Sequence, residues 1–129
     1  MTFAQLRAPL AVSLGAVGGA LGRYYLGGWI TQITGLATFP IGTMGVNLLG
    51  CFLMGTFISL SARQITMPSE IRLLVATGLL GSLTTFSSYE LETVDLIDAE
   101  GWHQDVLYWI GSPLLGLVCL RGGLALGRE

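Results

Sequence analysis

Three long stretches of this chain contain no charged side chain. They cover residues 24–62, 73–89 and 106–120, where Asp, Glu, Lys and Arg are all absent. A helix at the surface of a soluble protein needs a charged or polar outer face, so a water-soluble fold cannot accommodate apolar runs of this length. We therefore expect an integral membrane protein whose apolar side chains face lipid.

The composition excludes several classes of function. Charged residues make up 11% of the chain, against about 25% in soluble domains. The net charge of −2 leaves no basic surface for nucleic-acid phosphates, so we expect no nucleic-acid partner. We expect no enzyme activity either, because the sequence has no nucleophile–base pair, no metal-ligand spacing and no phosphate-binding loop.

Four apolar segments are long enough to span a bilayer, since crossing about 30 Å of hydrocarbon takes about 20 helical residues. The segments are approximately residues 9–29, 40–62, 68–96 and 104–126. Pro9, Pro40 and Pro68 stand near three of the predicted helix starts, where a missing N–H costs nothing. The sequence therefore predicts an all-α membrane protein with four transmembrane helices in a single domain, residues 1–129.

Glycines form a stripe in the first segment. Gly15, Gly18, Gly19 and Gly22 make two interleaved small-xxx-small pairs, a pattern that lets another helix approach closely in a membrane. The partner is either another helix of this chain or a second subunit. Four helices make a thin wall around a polar path, which favours a dimer.

The third segment has the pattern of a broken helix. Residues 68–96 are too many for one straight crossing, and the stretch from Gly78 to Tyr89 has two glycines followed by hydroxyl residues. Unwound backbone is tolerated at that depth only where it is buried or lines a wet cavity, and such breaks recur as ion sites. In the alternative, the hydroxyls bond to carbonyls one turn back and the helix only bends.

Two polar side chains lie in otherwise apolar segments. Asn47 follows Thr43 by four residues, so both lie on one helix face. The amide needs a hydrogen-bond partner, either on a neighbouring helix or in something that crosses the membrane. Arg23 either extends toward the lipid headgroups or forms an electropositive entrance.

Three motifs in order along the chain resemble the Fluc (CrcB) family of fluoride channels, over nearly its whole length. Residues 15–24 resemble the family's glycine-rich opening helix, which ends in Arg and an aromatic residue. Residues 42–47 are similar to its Gly-Thr-x-x-Val-Asn motif. Residues 78–93 are similar to Gly-x-x-Gly-Gly-x-Thr-Thr-Phe-Ser-Thr-Phe-x-x-Glu-Thr. The resemblance implies a passive exporter of cytoplasmic fluoride in the inner membrane of a bacterial-type cell.

The same resemblance implies a dimer of two antiparallel subunits, with two pores and a central structural Na⁺. Gly81 and Thr84 would provide backbone carbonyls for that ion, Arg23 would lie in the vestibule, and Glu92 would lie near the pore. The implied pore-lining residues are Asn47, Phe86, Tyr89, Ser87, Ser88, Thr43, Ser112 and Tyr108.

These residue types suit fluoride, whose tightly held water must be replaced by hydrogen-bond donors. Asn47 and the hydroxyls are such donors, and Phe86 offers the electropositive edge of its ring. Glu92 is unexpected beside an anion path, and the sequence leaves open whether it is hydrogen-bonded, protonated or turned away.

The chain departs from the family pattern at four positions. Ser82 replaces the second glycine, Tyr89 the second phenylalanine and Gly116 a serine, while Pro113 falls inside the fourth segment. The hydroxyl that Tyr89 adds either donates a hydrogen bond or faces water.

Arginine is concentrated at one end of the predicted bundle. With four spans, both termini and the second connection share a side, which carries Arg7, Arg63, Arg72, Arg121 and Arg128. This bias favours termini in the cytoplasm. A homodimer is favoured, and a pair with a homologous subunit of opposite orientation is the alternative.

Two other functions are compatible with four membrane helices. A small multidrug exporter needs a membrane-embedded carboxylate to couple protons to cationic drugs, and residues 9–29 contain none. A non-conducting assembly subunit would use its glycines only for packing. It predicts that Asn47→Asp and Phe86→Ile leave ion flux unchanged.

Overall fold

The computed structural model describes residues 3–64, 66–98 and 102–128. Every regular element in these ranges is helical, in agreement with the all-α prediction. The long helices are α1 (Phe3–Thr34), α2 (Ile41–Arg63) and α6 (Trp102–Leu126). Between α2 and α6 lie α3 (Ser69–Arg72), a π-helical segment (Leu73–Leu80), α4 (Gly81–Leu83) and α5 (Ser87–Asp98).

Prolines mark two of the three predicted helix starts. Pro40 and Pro68 directly precede α2 and α3, whereas Pro9 lies inside α1, which begins at Phe3. The prediction of a helix start at Pro9 was therefore wrong. The φ angle of proline is compatible with a helix, and its missing N–H removes only one backbone hydrogen bond. The helix therefore continues on both sides of Pro9. At the other end, Gly35 closes α1 with a φ of 67°, a left-handed conformation that glycine adopts without strain.

Three helical segments of the described chain are long and apolar enough to cross a membrane. They are Ile41–Arg63, Ser69–Asp98 and Val106–Leu126. The 32-residue α1 is also long enough, but its many glycines, its two arginines and its paired tyrosines make it less apolar, and it is not one of the three. The first of the four predicted spans stays a prediction.

The outside of the bundle is covered by large apolar side chains. Leu14, Val17 and Val118 are 68%, 61% and 66% exposed, whereas few side chains among the described residues are fully buried. A soluble monomer does not present an apolar surface of this kind. Lipid or a second subunit accounts for it.

Arg63, Arg72 and Arg128 lie at one end of the bundle. Arg63 donates a hydrogen bond to the backbone carbonyl of Arg128, and Arg72 donates one to the carbonyl of Ser61 at 3.3 Å. These bonds bring the end of α2, the end of α3 and the residues just after α6 together.

The glycine stripe of α1 packs within the chain. A Cβ atom at Gly78, in the π-helical segment, would lie 2.6 Å from the Val12 carbonyl oxygen and 2.9 Å from Gly15 Cα. A Cβ at Gly15 or Gly19 would collide with the backbone of the same segment. The small residues therefore let α1 and the third helical region approach to backbone contact, which is the intrachain alternative for the stripe.

Replacing Gly78 with alanine is expected to destabilise the fold. The added methyl group must push α1 away, and overpacking of this kind costs about 1–3 kcal/mol. Thermal unfolding in detergent measures the effect. Gly28→Ala is the matched control, because a Cβ there meets nothing within 4 Å and alanine in a helix is favoured over glycine by about 0.5–1 kcal/mol. If Gly78→Ala were as stable as Gly28→Ala, the close approach would be disproved.

Candidate functional site

The helical region of residues 69–98 is interrupted after Leu83. Thr84 has φ −79° and ψ 153°, an extended conformation, and α5 begins only at Ser87. The backbone N–H and the hydroxyl of Thr84 both donate to the Leu80 carbonyl, each at 3.2 Å. The Thr84 hydroxyl thus bonds to a carbonyl one turn back, as in a bent helix. The extended backbone at Thr84, however, departs more from helical geometry than a bend does.

Asn47 of α2 holds the interrupted backbone. Its Nδ2 donates to the Thr85 carbonyl at 3.0 Å, and its Oδ1 accepts from the Thr85 N–H at 2.7 Å. In a helix, the N–H and the carbonyl of Thr85 would each have a backbone hydrogen bond. The side-chain amide of Asn47 provides both hydrogen bonds instead. One N–H of the amide is not used in these bonds. Asn47 therefore bonds a neighbouring helical region and also retains a donor.

At the interruption, two backbone carbonyls lose the N–H donors that a continuous helix would give them. In a continuous helix, the N–H of Thr85 would donate to Gly81 and that of Ser88 to Thr84. Here the Thr85 N–H donates to Asn47, and the Ser88 N–H donates to Thr85 Oγ1 at 3.3 Å. Gly81 is exposed and Thr84 half-buried. These two carbonyls fit a hard cation such as Na⁺, which prefers oxygen ligands and is held by unwound backbone in other membrane proteins.

Hydroxyl residues surround the start of α5. Thr85 Oγ1 donates to Ser88 Oγ at 3.1 Å, so the Ser88 proton is free to be donated elsewhere. Ser87 is exposed at the first position of the helix. Thr85, to which the sequence analysis assigned no role, thus caps the first turn of α5. A threonine just before a helix, two residues ahead of its start and three ahead of the N–H that it accepts from, is the signal that identifies such a cap.

Four aromatic rings form a row that leads away from the interruption. Phe86 and Tyr89 have ring centroids 5.7 Å apart, Tyr89 and Tyr108 are 5.3 Å apart, and Tyr108 and Phe39 are 5.6 Å apart. Phe86 is 73% exposed, whereas Tyr108 is completely buried. The row therefore runs from the surface of the chain into its interior.

Glu92 is hydrogen-bonded at the inner end of this row. Thr43 of α2 donates to Glu92 Oε1 at 2.6 Å, and Tyr108 of α6 donates to Oε2 at 2.7 Å. Among the three alternatives that the sequence left open, the structure therefore shows the hydrogen-bonded one. Both carboxylate oxygens have a donor, and α2, α5 and α6 are joined at this point.

A groove of about 410 Å³ connects several of these residues. No charged side chain lines it within the described part of the chain. It is lined by Asn47, Cys51, Thr84, Thr85, Phe86, Tyr89, Ser112, Pro113, Gly116, Leu117 and Leu120. Ser112 is only 5% exposed, and its hydroxyl has no hydrogen bond to any residue that the structure describes. An unused donor thus faces a groove that is otherwise largely apolar.

Five of the predicted site residues line the groove, and seven do not: Arg23, Thr43, Gly81, Ser87, Ser88, Glu92 and Tyr108. Arg23 lies half-buried in α1, well inside a helix that continues to Thr34. Gly81 lies one helical turn before the interruption and does not line the groove. Sequence reasoning also missed the Trp109 carbonyl, which accepts a hydrogen bond from Tyr89. The signal for it was Pro113, four residues later, because proline has no N–H to donate to that carbonyl.

Comparison with known proteins assigns the chain to a family. The family described as "CrcB-like protein, Camphor Resistance (CrcB)" matches residues 10–124. A protein of Trichormus variabilis named "Fluoride-specific ion channel FluC" is 47% identical over 95% of this chain and 90% of its own length. Proteins of the same name from Synechococcus sp. and Maridesulfovibrio salexigens are 44% and 41% identical, over 99% and 92% of this chain and 98% and 94% of their own lengths.

The name that these relatives carry is that of a channel and not of an enzyme. Together with the three helical segments able to cross a membrane, the match over almost the whole chain agrees with the membrane class that the charge-free stretches predicted. This multi-pass membrane protein therefore belongs to the CrcB family.

Proposed function

We propose that this protein is a fluoride-selective channel that lets cytoplasmic fluoride leave the cell passively. The observation that carries the proposal is the groove, where unused hydrogen-bond donors of Asn47 and Ser112 meet the exposed ring of Phe86 and no charged side chain of the described residues is part of the lining. The names of the relatives, each a fluoride-specific ion channel, support the choice of ion.

The donors in the groove suit an ion that must enter and leave. Fluoride loses tightly bound water on entry, and N–H and O–H groups replace it. A fixed positive charge would hold the ion too strongly for conduction, whereas the electropositive edge of an aromatic ring attracts it mildly. Neutral donors beside an aromatic ring therefore favour passage of a small anion over tight binding.

We propose that a second, antiparallel subunit closes the groove into a pore. In a single chain the groove is open and Phe86 is 73% exposed, so an ion there would contact lipid. The extended backbone at Thr84 supports a helix that is broken within the membrane, because unwound backbone at that depth needs protein or water around it. Two such subunits would form two pores, and a homodimer is the simpler composition.

The carbonyls of Gly81 and Thr84 are proposed to hold a structural Na⁺ between the subunits. Both have lost their helical donors, and Gly81 lies at the surface of the single chain, where a partner is able to share the ion. When bound, the ion would supply positive charge near the two pores. Purification with N-methylglucamine in place of Na⁺ should dissociate the dimer and stop fluoride flux. Unchanged flux in Na⁺-free solution would refute this site.

Ion efflux from proteoliposomes tests the channel directly. Vesicles loaded with fluoride or with chloride are diluted into ion-free buffer, a K⁺ ionophore balances the charge, and an ion-selective electrode records release. We expect rapid fluoride efflux and chloride release at the rate of protein-free vesicles. Equal chloride flux would overturn the selectivity. Absence of both fluxes would favour an assembly subunit, and proton-coupled uptake of a cationic drug would favour an exporter.

The orientation of the subunits is tested by cysteine labelling on intact cells. Cys51 and Cys119, the two natural cysteines, are replaced by alanine, and one new cysteine is placed at Thr38 or at Gln64. These exposed residues follow α1 and α2 at opposite ends of the bundle. A homodimer of antiparallel subunits predicts that a membrane-impermeant maleimide labels about half of the molecules at either position. Labelling at only one position would establish a single orientation and exclude this homodimer.

A further inference from the structure

Helix α6 contains a proline whose missing N–H leaves one carbonyl without its helical donor. The helix runs from Trp102 to Leu126 with Pro113 inside it. In a regular helix the N–H of residue 113 would donate to the carbonyl of Trp109, but proline has no N–H. A carbonyl freed in an apolar, membrane-spanning segment is costly unless another donor reaches it.

Tyr89 supplies that donor from α5. Its hydroxyl donates to the Trp109 carbonyl at 2.5 Å, and the side chain is only 6% exposed. The hydroxyl proton is therefore already used inside the protein. Among the two alternatives for this added hydroxyl, the structure thus selects a hydrogen bond, and its partner is a backbone carbonyl of this chain.

This hydrogen bond adjoins the proposed fluoride path, because two of the three residues involved line the groove. Tyr89 and Pro113 line the groove together with Ser112, which stands between Trp109 and Pro113 on α6. The Tyr89 ring also contacts the ring of Phe86, with centroids 5.7 Å apart. The position of the Tyr89 ring and the direction of the Trp109 carbonyl are therefore coupled by one hydrogen bond.

We propose that Tyr89 is a positioning residue whose hydroxyl replaces the N–H that Pro113 lacks, capping the Trp109 carbonyl and fixing the ring next to Phe86. The negative end of an uncapped carbonyl close to the groove would repel an anion. Tyr89 and Pro113 are two separate departures from the family pattern in sequence. In the fold, the hydroxyl of Tyr89 compensates for the N–H that Pro113 lacks. The part of this inference that concerns ion flux rests on the proposed function.

The pair is tested by a double-mutant cycle with Tyr89→Phe, Pro113→Ala and the double variant. Removing the hydroxyl while Pro113 is present should slow fluoride efflux by about tenfold, the factor that corresponds to one lost hydrogen bond. Alanine at position 113 restores an N–H for the Trp109 carbonyl. Tyr89→Phe in the Pro113→Ala background should therefore keep the efflux rate of Pro113→Ala alone.

A general loss of packing would not give this pattern, because it would slow efflux equally in both backgrounds. Equal losses, or no loss on Tyr89→Phe alone, would overturn the proposal. Pro113→Leu, which also restores an N–H, replaces Pro113→Ala if the latter does not fold. Tyr25→Phe, at an exposed tyrosine of α1, is the control for loss of a hydroxyl elsewhere.

The midpoint of thermal unfolding in detergent is recorded for the same variants. Tyr89→Phe should lower it only where residue 113 is proline. This measurement requires no ion transport, so it tests the hydrogen-bond pair even if the wild-type protein conducts no fluoride. In that case the proposed function would fail, and the unfolding midpoints would still confirm or refute the pair.

Discussion

Replacing Asn47 with aspartate is expected to abolish fluoride flux. The amide both donates to and accepts from Thr85, and aspartate keeps only the acceptor. Its carboxylate would face the Thr85 carbonyl and add a negative charge to a groove that has no charged lining residue in the described chain. Two like charges 4 Å apart repel by about 4 kcal/mol at an effective dielectric constant of 20. An efflux rate lowered by about a thousandfold corresponds to that energy.

The matched control makes the same chemical change outside the groove. Gln64→Glu converts an amide to a carboxylate at an exposed residue after α2, and its efflux rate should equal that of the wild type. Asn47→Ala separates the two effects, because it removes the hydrogen bonds to Thr85 without adding charge. If Asn47→Asp retained more than a tenth of the wild-type rate, the amide would not face the ion path.

Replacing Phe86 with isoleucine should slow fluoride efflux while leaving the fold intact. The ring is 73% exposed and contacts Tyr89, so little packing is lost in the single chain. Isoleucine keeps the apolar volume but has no electropositive ring edge. Such aromatic contacts are worth up to about 1.5 kcal/mol, so we expect efflux to fall by up to about tenfold, with an unfolding midpoint close to that of the wild type.

Phe57→Ile provides the comparison, since it makes the same replacement at a half-buried position of α2 that does not line the groove. Its efflux rate should not change. Wild-type flux in Phe86→Ile would exclude the ring from the ion path and would favour another route through the protein. A loss of flux that parallels a loss of folded protein would show that Phe86 acts through stability instead.

The sequence predicted the class of the protein because the physical requirement is local. An apolar stretch without charge needs lipid around it wherever the rest of the chain lies. Prolines predicted the starts of α2 and α3 because the effect of a proline on the backbone is also local. Pro9 failed as a marker, since the ring of a proline constrains its own turn and does not determine whether the residues before it are helical.

Side-chain partners far apart in sequence could not be predicted. Glu92 had three alternatives until Thr43 and Tyr108 were found as its donors. The glycine stripe of α1 left its partner open until the helical region around Gly78 was seen packed against it. In each case the deciding atom belongs to another helix, whose position depends on how the whole bundle packs.

By itself, the sequence determined that the chain is a helical membrane protein with the motifs of the CrcB family, because hydrophobic periods and short motifs are properties of neighbouring residues. Only the tertiary structure decided that the Tyr89 hydroxyl serves the Trp109 carbonyl and that Asn47 holds the interrupted backbone at Thr85. A hydrogen bond requires two groups within about 3 Å, and for groups on different helices that distance is set by packing and not by sequence separation.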